Sequence, residues 1–295
     1  MFKKRRQLIF VYSVKDANPN GDPLNDNHPR YDEESGQILS SDVRIKRTAR
    51  DEMMADGRDV FVDGQSLTLK KRFEALKKKL GTKTGEETLK RCIDTRLFGA
   101  TFSLGSKESF SWTGPVQFKW ARSLNTQKPV LIQGTAAFAT NEGNTQRSFR
   151  TEYIVPYALM CASAIANEAA SETTGATDED LDCLKESLWS GTQNLITRSK
   201  TEHHPLLLIE ITYKEDAKTH ICSVEEYITL TDPAGNTLSE NDQIGLRTLR
   251  DFNLDISSLT EKLERMSEKI ENISIIADDR LALTDKTKKV TVERR

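Results

Sequence analysis

QLIFVYSV at 7–14, NPNGDPLNDNHPR at 18–30 and SSDVRIKRTAR at 40–50 decide the fold of this 295-residue chain. β-Branched and aromatic residues fill the first stretch and predict a strand, which the Asn, Pro and Gly of the second end in a long structured loop. Ser40, Ser41 and Asp42 then offer side-chain oxygens to a helix running from about Val43 to Met54 and stopped near Gly57. Along it Ile45, Ala49 and Met53 recur every four residues as an apolar face, while Arg44, Lys46, Arg47 and Arg50 fan around the remainder. The opening reads as strand, long loop and basic amphipathic helix.

Working outward, residues 56–96 hold short, highly charged helical stretches, among them LKKRFEALKKKL at 69–80, and read as a helical insertion. From Leu97 to Tyr153 the pattern changes to short β-like runs broken by Gly: LFGATF, FSWTGPVQFKWARS and VLIQGTAAFAT, with a protruding hairpin. Helical periodicity is predicted at about 154–170, at 178–191, and again over 260–273, where Leu259, Leu263, Met266, Ile270 and Ile273 alternate at four and three. LLLIEITY at 206–213 is a second clear strand, and the last dozen residues read as frayed. With no repeat and no Pro- or Ser-rich linker, the simplest architecture is one α+β body, residues 1–295, with a small RRM-like (ferredoxin-like) sheet and large insertions.

Hydrophobic residues make up 36% and charged residues 30% of the chain, and the formal net charge is −2. A nucleic-acid site therefore has to come from local clustering of cations. Cys92, Cys161, Cys183 and Cys222 are scattered without a metal-ligand spacing and read as reduced, so no metal and no cofactor is expected. The apolar run after KKRR ends at Lys15 and Asp16, too short for a signal peptide or a membrane span, and the chain reads as cytoplasmic with no membrane partner.

The loop at 18–30 offers small residues and amide donors for close approach to a backbone, with Asn18, Asn20 and Gly21 foremost. Taken alone it reads sooner as an ordinary Asx and Pro turn segment. It precedes a helix start at which Ser41 and four cations form a natural phosphate site. Gln117 and Arg122, with Arg198 and Lys200 of TRSK, add donors that would extend the same groove. Of the aromatics at 110, 112, 118, 120 and 149, Phe149 is favoured for base stacking because Arg147 and Arg150 flank it. Asp22 and His28 share a loop but no nuclease, hydrolase or phosphate-loop pattern accompanies them, so no catalytic residue is assigned.

Taken in order, NPNGDP, NHPRYDEESG, SSDVRIKR, LFGATF, TGPVQF, ARS, VPYALM and TRSK resemble the seventh family of CRISPR-associated proteins, the repeated backbone subunit of Cascade, and most of all its type I-B branch. The likeness runs from about residue 7 to residue 213, and LSSDV stands where the family more often has LVTDV. It implies a hand-like protein: an RRM-like palm, helical fingers at 56–96, and a β-hairpin thumb at about 119–150. It also implies a role in binding rather than turnover. Copies polymerise head to tail along a CRISPR guide RNA, beside a guide-end-capping subunit, large and small subunits and a guide-processing enzyme, and the guide pairs with target DNA. The alternatives are a metal-dependent ribonuclease of the same superfamily, with Glu142 as its thumb acid, and a single-strand RNA-binding protein outside CRISPR.

Overall fold

The computed structural model describes residues 1–65, 68–104, 109–135, 149–287 and 290–295, with the backbone alone for Thr135, Phe149 and Arg150. Its ten-stranded mixed sheet is built on β1 (Arg6–Ala17), β2 (Gln37–Ser40), β3 (Val116–Phe118), β4 (Ala121–Thr126), β5 (Val130–Thr135), β6 (Phe149–Ala166), β7 (His203–Tyr213) and β8 (Ile270–Ala277). Short strands at Tyr31–Asp32 and Val292–Arg294 complete it. β1 lies between β6 and β7, antiparallel to both. β3, β4 and β5 pair with β6, β2 continues from β4, and β8 flanks β7.

Alternation along the strands divides the core between the two faces. Leu8, Phe10, Tyr12 and Val14 of β1 pack with Ile45, Ala49 and Met53 of α1 (Asp42–Ala55). Leu181, Leu184 and Leu188 of α6 (Asp178–Gln193) join them. Ile9 and Val11 turn the other way, onto Phe252, Leu254, Leu259 and Leu263 of the C-terminal third. α6 starts at a capping box between Thr177 and Asp180, and the same Asp180 carboxylate takes Arg96 at 2.6 and 2.8 Å. One acid therefore holds both the helix start and the base of the charged insertion.

That insertion contains α2 (Leu69–Leu80), α3 (Gly85–Arg91) and α4 (Ile93–Phe98). It has a small core of its own, where Phe61, Phe73, Leu76, Leu89 and Cys92 meet Phe102 and Trp112 of the hairpin Gly99–Ser103/Ser109–Thr113. Gly99 sits at φ +77°, and a Cβ there would fall 2.4 Å from the Gly114 amide nitrogen, so the chain can cross itself here only as glycine.

One predicted helix is a strand and another gives way to strand at its C-terminal end. Residues 154–166 belong to β6, buried on both faces, and a continuous apolar run of that kind has no period to separate strand from helix. In the predicted 260–273 helix only α8 (Ser257–Arg265) forms; the β-branched stretch IENISIIA becomes β8 beside β7. Val292–Arg294 pairs in parallel with β8 rather than fraying. The hairpin of β5 with residues 149–154 of β6 occupies part of the predicted thumb. Glu142 and Arg147 lie outside the described residues.

Candidate nucleic-acid interface

Loop, helix start and TRSK turn are joined by main-chain and amide bonds. The Asn18 amide donates to the Ser199 carbonyl and the Asn18 side chain to the Asn27 carbonyl, both at 2.8 Å. Asn20 Oδ1 accepts from the Ser41 amide at 2.8 Å, and Ser41 Oγ caps α1 by accepting from the Arg44 amide at 3.3 Å. Gly21 closes the loop, since a Cβ there would meet the Asn27 side chain at 1.9 Å. Three segments distant in sequence thus share one corner of the molecule, at the positive end of α1.

Within that corner the cations separate into two kinds. Lys46 pairs with Asp42 at 2.9 Å, Arg47 with Asp51 at 2.5 Å, and Arg50 with the buried Asp94 at 2.9 Å while stacking over Phe98. The predicted free basic face is therefore largely neutralised: helical spacing puts acids four residues away, and the insertion supplies Asp94. Arg44 and Lys200 have no ion pair among the described residues. Burial lowers the pKa of each, and the charge of Arg44 lowers that of Lys200 further. Arg44 Nη2 donates to Thr48 Oγ1 at 2.9 Å, but its Nε is buried without a partner. Two half-buried cations that repel each other and make no ion pair among the described residues, Arg44 feeling the Asp51 carboxylate only at longer range, gain stability from an incoming anion.

Behind them His203 is 3% exposed, its Nδ1 bonded to the Lys200 carbonyl at 3.1 Å and its Nε2 without a partner. Burial, then Lys200, pushes its pKa down to about 3, so the ring is neutral. His203 and Arg44 line a cavity of only about 20 Å³, room for a single water, so a phosphate would sit at its mouth rather than inside.

Gln117 and Arg122 do not extend this corner. In register they oppose Ile165 and Cys161 of β6, on the face away from α1 and α6, because strand alternation sends neighbouring residues to opposite sides. Gln117 bonds to the Gly114 carbonyl at 2.8 Å, and Arg122 pairs with Asp32 at 2.8 Å, which holds that carboxyl down at about 2. Arg198, mostly exposed, pairs with Glu152 at 3.1 Å. Phe149 begins β6, but its side chain is not among those described. Asp22 serves the loop by accepting from the Leu24 amide and from Arg30, and His28 packs on Tyr153 at 4.3 Å.

Sequence reasoning missed the approach of Lys200 to Arg44, which only sheet topology creates, and the buried His203 behind them. It also favoured Phe149 over Trp120 among five aromatics. Trp112 and Phe118 are buried in cores, while Trp120 is 49% exposed.

Residues 4–257 match the family model described as CRISPR-associated protein Cas7. A curated protein of that name from Haloferax volcanii is 30% identical over 312 residues, covering 95% of this chain and 88% of the relative. Two solved chains share the fold, one from a CRISPR RNA-guided surveillance complex in a pre-nicking state and one from a CRISPR RNA-guided surveillance complex. The first has a TM-score of 0.54 at 14% identity, with 99% and 96% of the two chains covered. The second has a TM-score of 0.53 at 17% identity, with 99% and 94% covered. On the family match and the Haloferax relative together, this chain belongs to the CRISPR-associated protein Cas7 family.

Proposed function

We propose that this protein is the repeated, non-catalytic backbone subunit of a type I Cascade, of the I-B branch, gripping a CRISPR guide RNA and polymerising along it in the cytoplasm. The observation that carries the binding site is the Arg44 and Lys200 pair, two half-buried cations with no ion pair among the described residues, beside the capped start of α1. Guide phosphates occupy that position; Asn18, Asn20, Gly21 and Ser41 shape the loop behind it, while Lys46 and Arg47, balanced by Asp42 and Asp51, play a lesser part. Arg50 acts on the architecture, through Asp94. Strands β7, β1, β6 and β3/β4, in that spatial order and with α1 and α6 on one face, serve as an RRM-like palm. The insertion around α2 and α3 forms the fingers, and the β5 hairpin belongs to the thumb.

In this reading the protein holds the guide's backbone while base pairing of the exposed guide segments with target DNA supplies specificity. Copies stack head to tail, flanked by guide-end-capping, large and small subunits and by the enzyme that processes the guide. The test is electron microscopy of protein co-expressed with a CRISPR array and processing enzyme, after nuclease treatment. Regular helical particles containing protected RNA support the assignment. RNA-free monomers, or RNA that the protein itself degrades, refute it.

A further inference from the structure

Resting on the RNA-binding reading, we propose that Trp120, with the Arg30 guanidinium over its ring, is a stacking platform for one unpaired nucleobase, separate from the Arg44 and Lys200 phosphate site. Trp120 is 49% exposed, whereas the other two tryptophans, Trp112 and Trp189, are below 10%. A half-exposed indole forgoes much of the burial that the residue ordinarily gains, so it stands free for a planar partner. Arg30 Cζ lies 5.9 Å from the ring centroid, and its Nε is buried without a hydrogen-bond partner while Nη2 reaches Asp22 only at 3.4 Å. The cation is thus held in place with donor capacity unspent.

Trp120 forms a wall of two open clefts. One, of about 320 Å³, is bordered by Asp22, Asn25 and Arg30; the other, of about 350 Å³, by Gln37 and Arg122. Each is of the size that takes a small planar ligand. Their polar groups are of both signs, with amide donors and acceptors beside carboxylates. That lining opposes a run of phosphates and suits the edge of a neutral base whose flat face rests on the indole. A cationic side chain from another protein is a poor rival, because Arg30 already takes the cation position over the ring.

The test uses the full chain with a uridine-rich oligoribonucleotide carrying 5-iodouridine, crosslinked by ultraviolet light and mapped by mass spectrometry, with titrations of Trp120→Ala, Trp120→Phe and Arg44→Ala alongside. The platform places the adduct on Trp120, weakens binding on the order of 5- to 100-fold in Trp120→Ala, and leaves Trp120→Phe near wild type. Uridine monophosphate competing as well as the oligomer supports the platform with a free nucleotide as its source; competition by the oligomer alone supports an RNA base. Adducts elsewhere, with Trp120→Ala binding at full affinity while Arg44→Ala does not, sink the platform and leave the backbone reading standing. Full affinity in both variants sinks both. Loss of self-association without RNA in Trp120→Ala, at unchanged RNA affinity per chain, overturns the platform and makes Trp120 a protein contact.

Discussion

Arg50 Nε donates to Asp94 at 2.9 Å, and that carboxylate, wholly out of solvent, also accepts from the Phe61 and Val62 amides at 2.7 and 3.1 Å. One side chain of α1 therefore fixes where the chain departs into the helical insertion. Removing one member of a buried, hydrogen-bonded pair strands the other charge, at about 3–5 kcal/mol. Arg50→Ala and Asp94→Ala are each expected to lose stability of that order in urea unfolding. RNA affinity per folded molecule should stay near wild type at a temperature where both remain folded. An RNA defect in folded Arg50→Ala as large as that of Arg44→Ala would make Arg50 a phosphate ligand.

Arg44 and Lys200 behave in the opposite way. Neither makes an ion pair among the described residues, and burial opposes the charge of each, so Arg44→Ala and Lys200→Ala should leave the melting temperature close to unchanged. RNA binding should weaken by about 10- to 100-fold, the range of a charge-assisted bond. Each removed phosphate contact should also lower the slope of log affinity against log salt by about 1, measured by fluorescence anisotropy between low and physiological salt. Lys46→Ala and Arg47→Ala, whose charges are already balanced by Asp42 and Asp51, should change that slope less.

His203 supplies an acid-sensitive element. Burial, the charge of Lys200 and that of Arg44 hold its pKa at about 3, against about 6.5 in the unfolded chain. Between those values the unfolded state binds more protons, so stability is lost as pH falls from about 6.5 toward 3, by about 3 kcal/mol at pH 4. His203→Gln, which cannot charge, should flatten that part of the stability curve measured in urea at successive pH values. An unchanged acid limb would mean that other groups carry it.

The first fifty residues announced their structure because local signals agreed: a β-branched run, a loop of Asn, Pro and Gly, and hydroxyls ahead of a four-residue apolar period gave β1, the loop and α1. Arg44 was legible as a cation but not as the unpaired one, because its distinction rests on Asp42, Asp51 and Asp94 neutralising its neighbours. The last of these comes from a segment more than forty residues away. Lys200 reaches the site only through the Asn18 to Ser199 bond, a product of strand order. The stretch VPYALMCASAIA misled for a definite reason. Proline favours a first helical turn and alanine favours helix, so Pro156 and the alanines after it imitate a helix start. The sheet absorbs Pro156 because it falls opposite Asp16, at φ +45°, where no pair forms, while Lys15 with Tyr157 and Ala17 with Val155 keep the register on either side.

Those alanines give the last prediction. Ala158, Ala162, Ala164 and Ala166 lie on the face of β6 beneath the layer of α1 and α6, each no more than 1% exposed. Small side chains at alternate positions let the helices approach a strand that is covered on both sides. Were residues 154–170 a helix, exchanging Ala162 for another good helix former would cost little in propensity. On the strand it forces extra methylenes against Phe10's side of the core, where overpacking costs about 1–3 kcal/mol. Ala162→Leu should therefore lower the urea midpoint with an unchanged slope, while Ala169→Leu, in α5 (Glu168–Thr174) just beyond the strand and exposed, should be close to neutral. Equal tolerance at both positions would mean that the helix layer stands further from the sheet than the packing of Phe10, Ala162 and Leu184 requires.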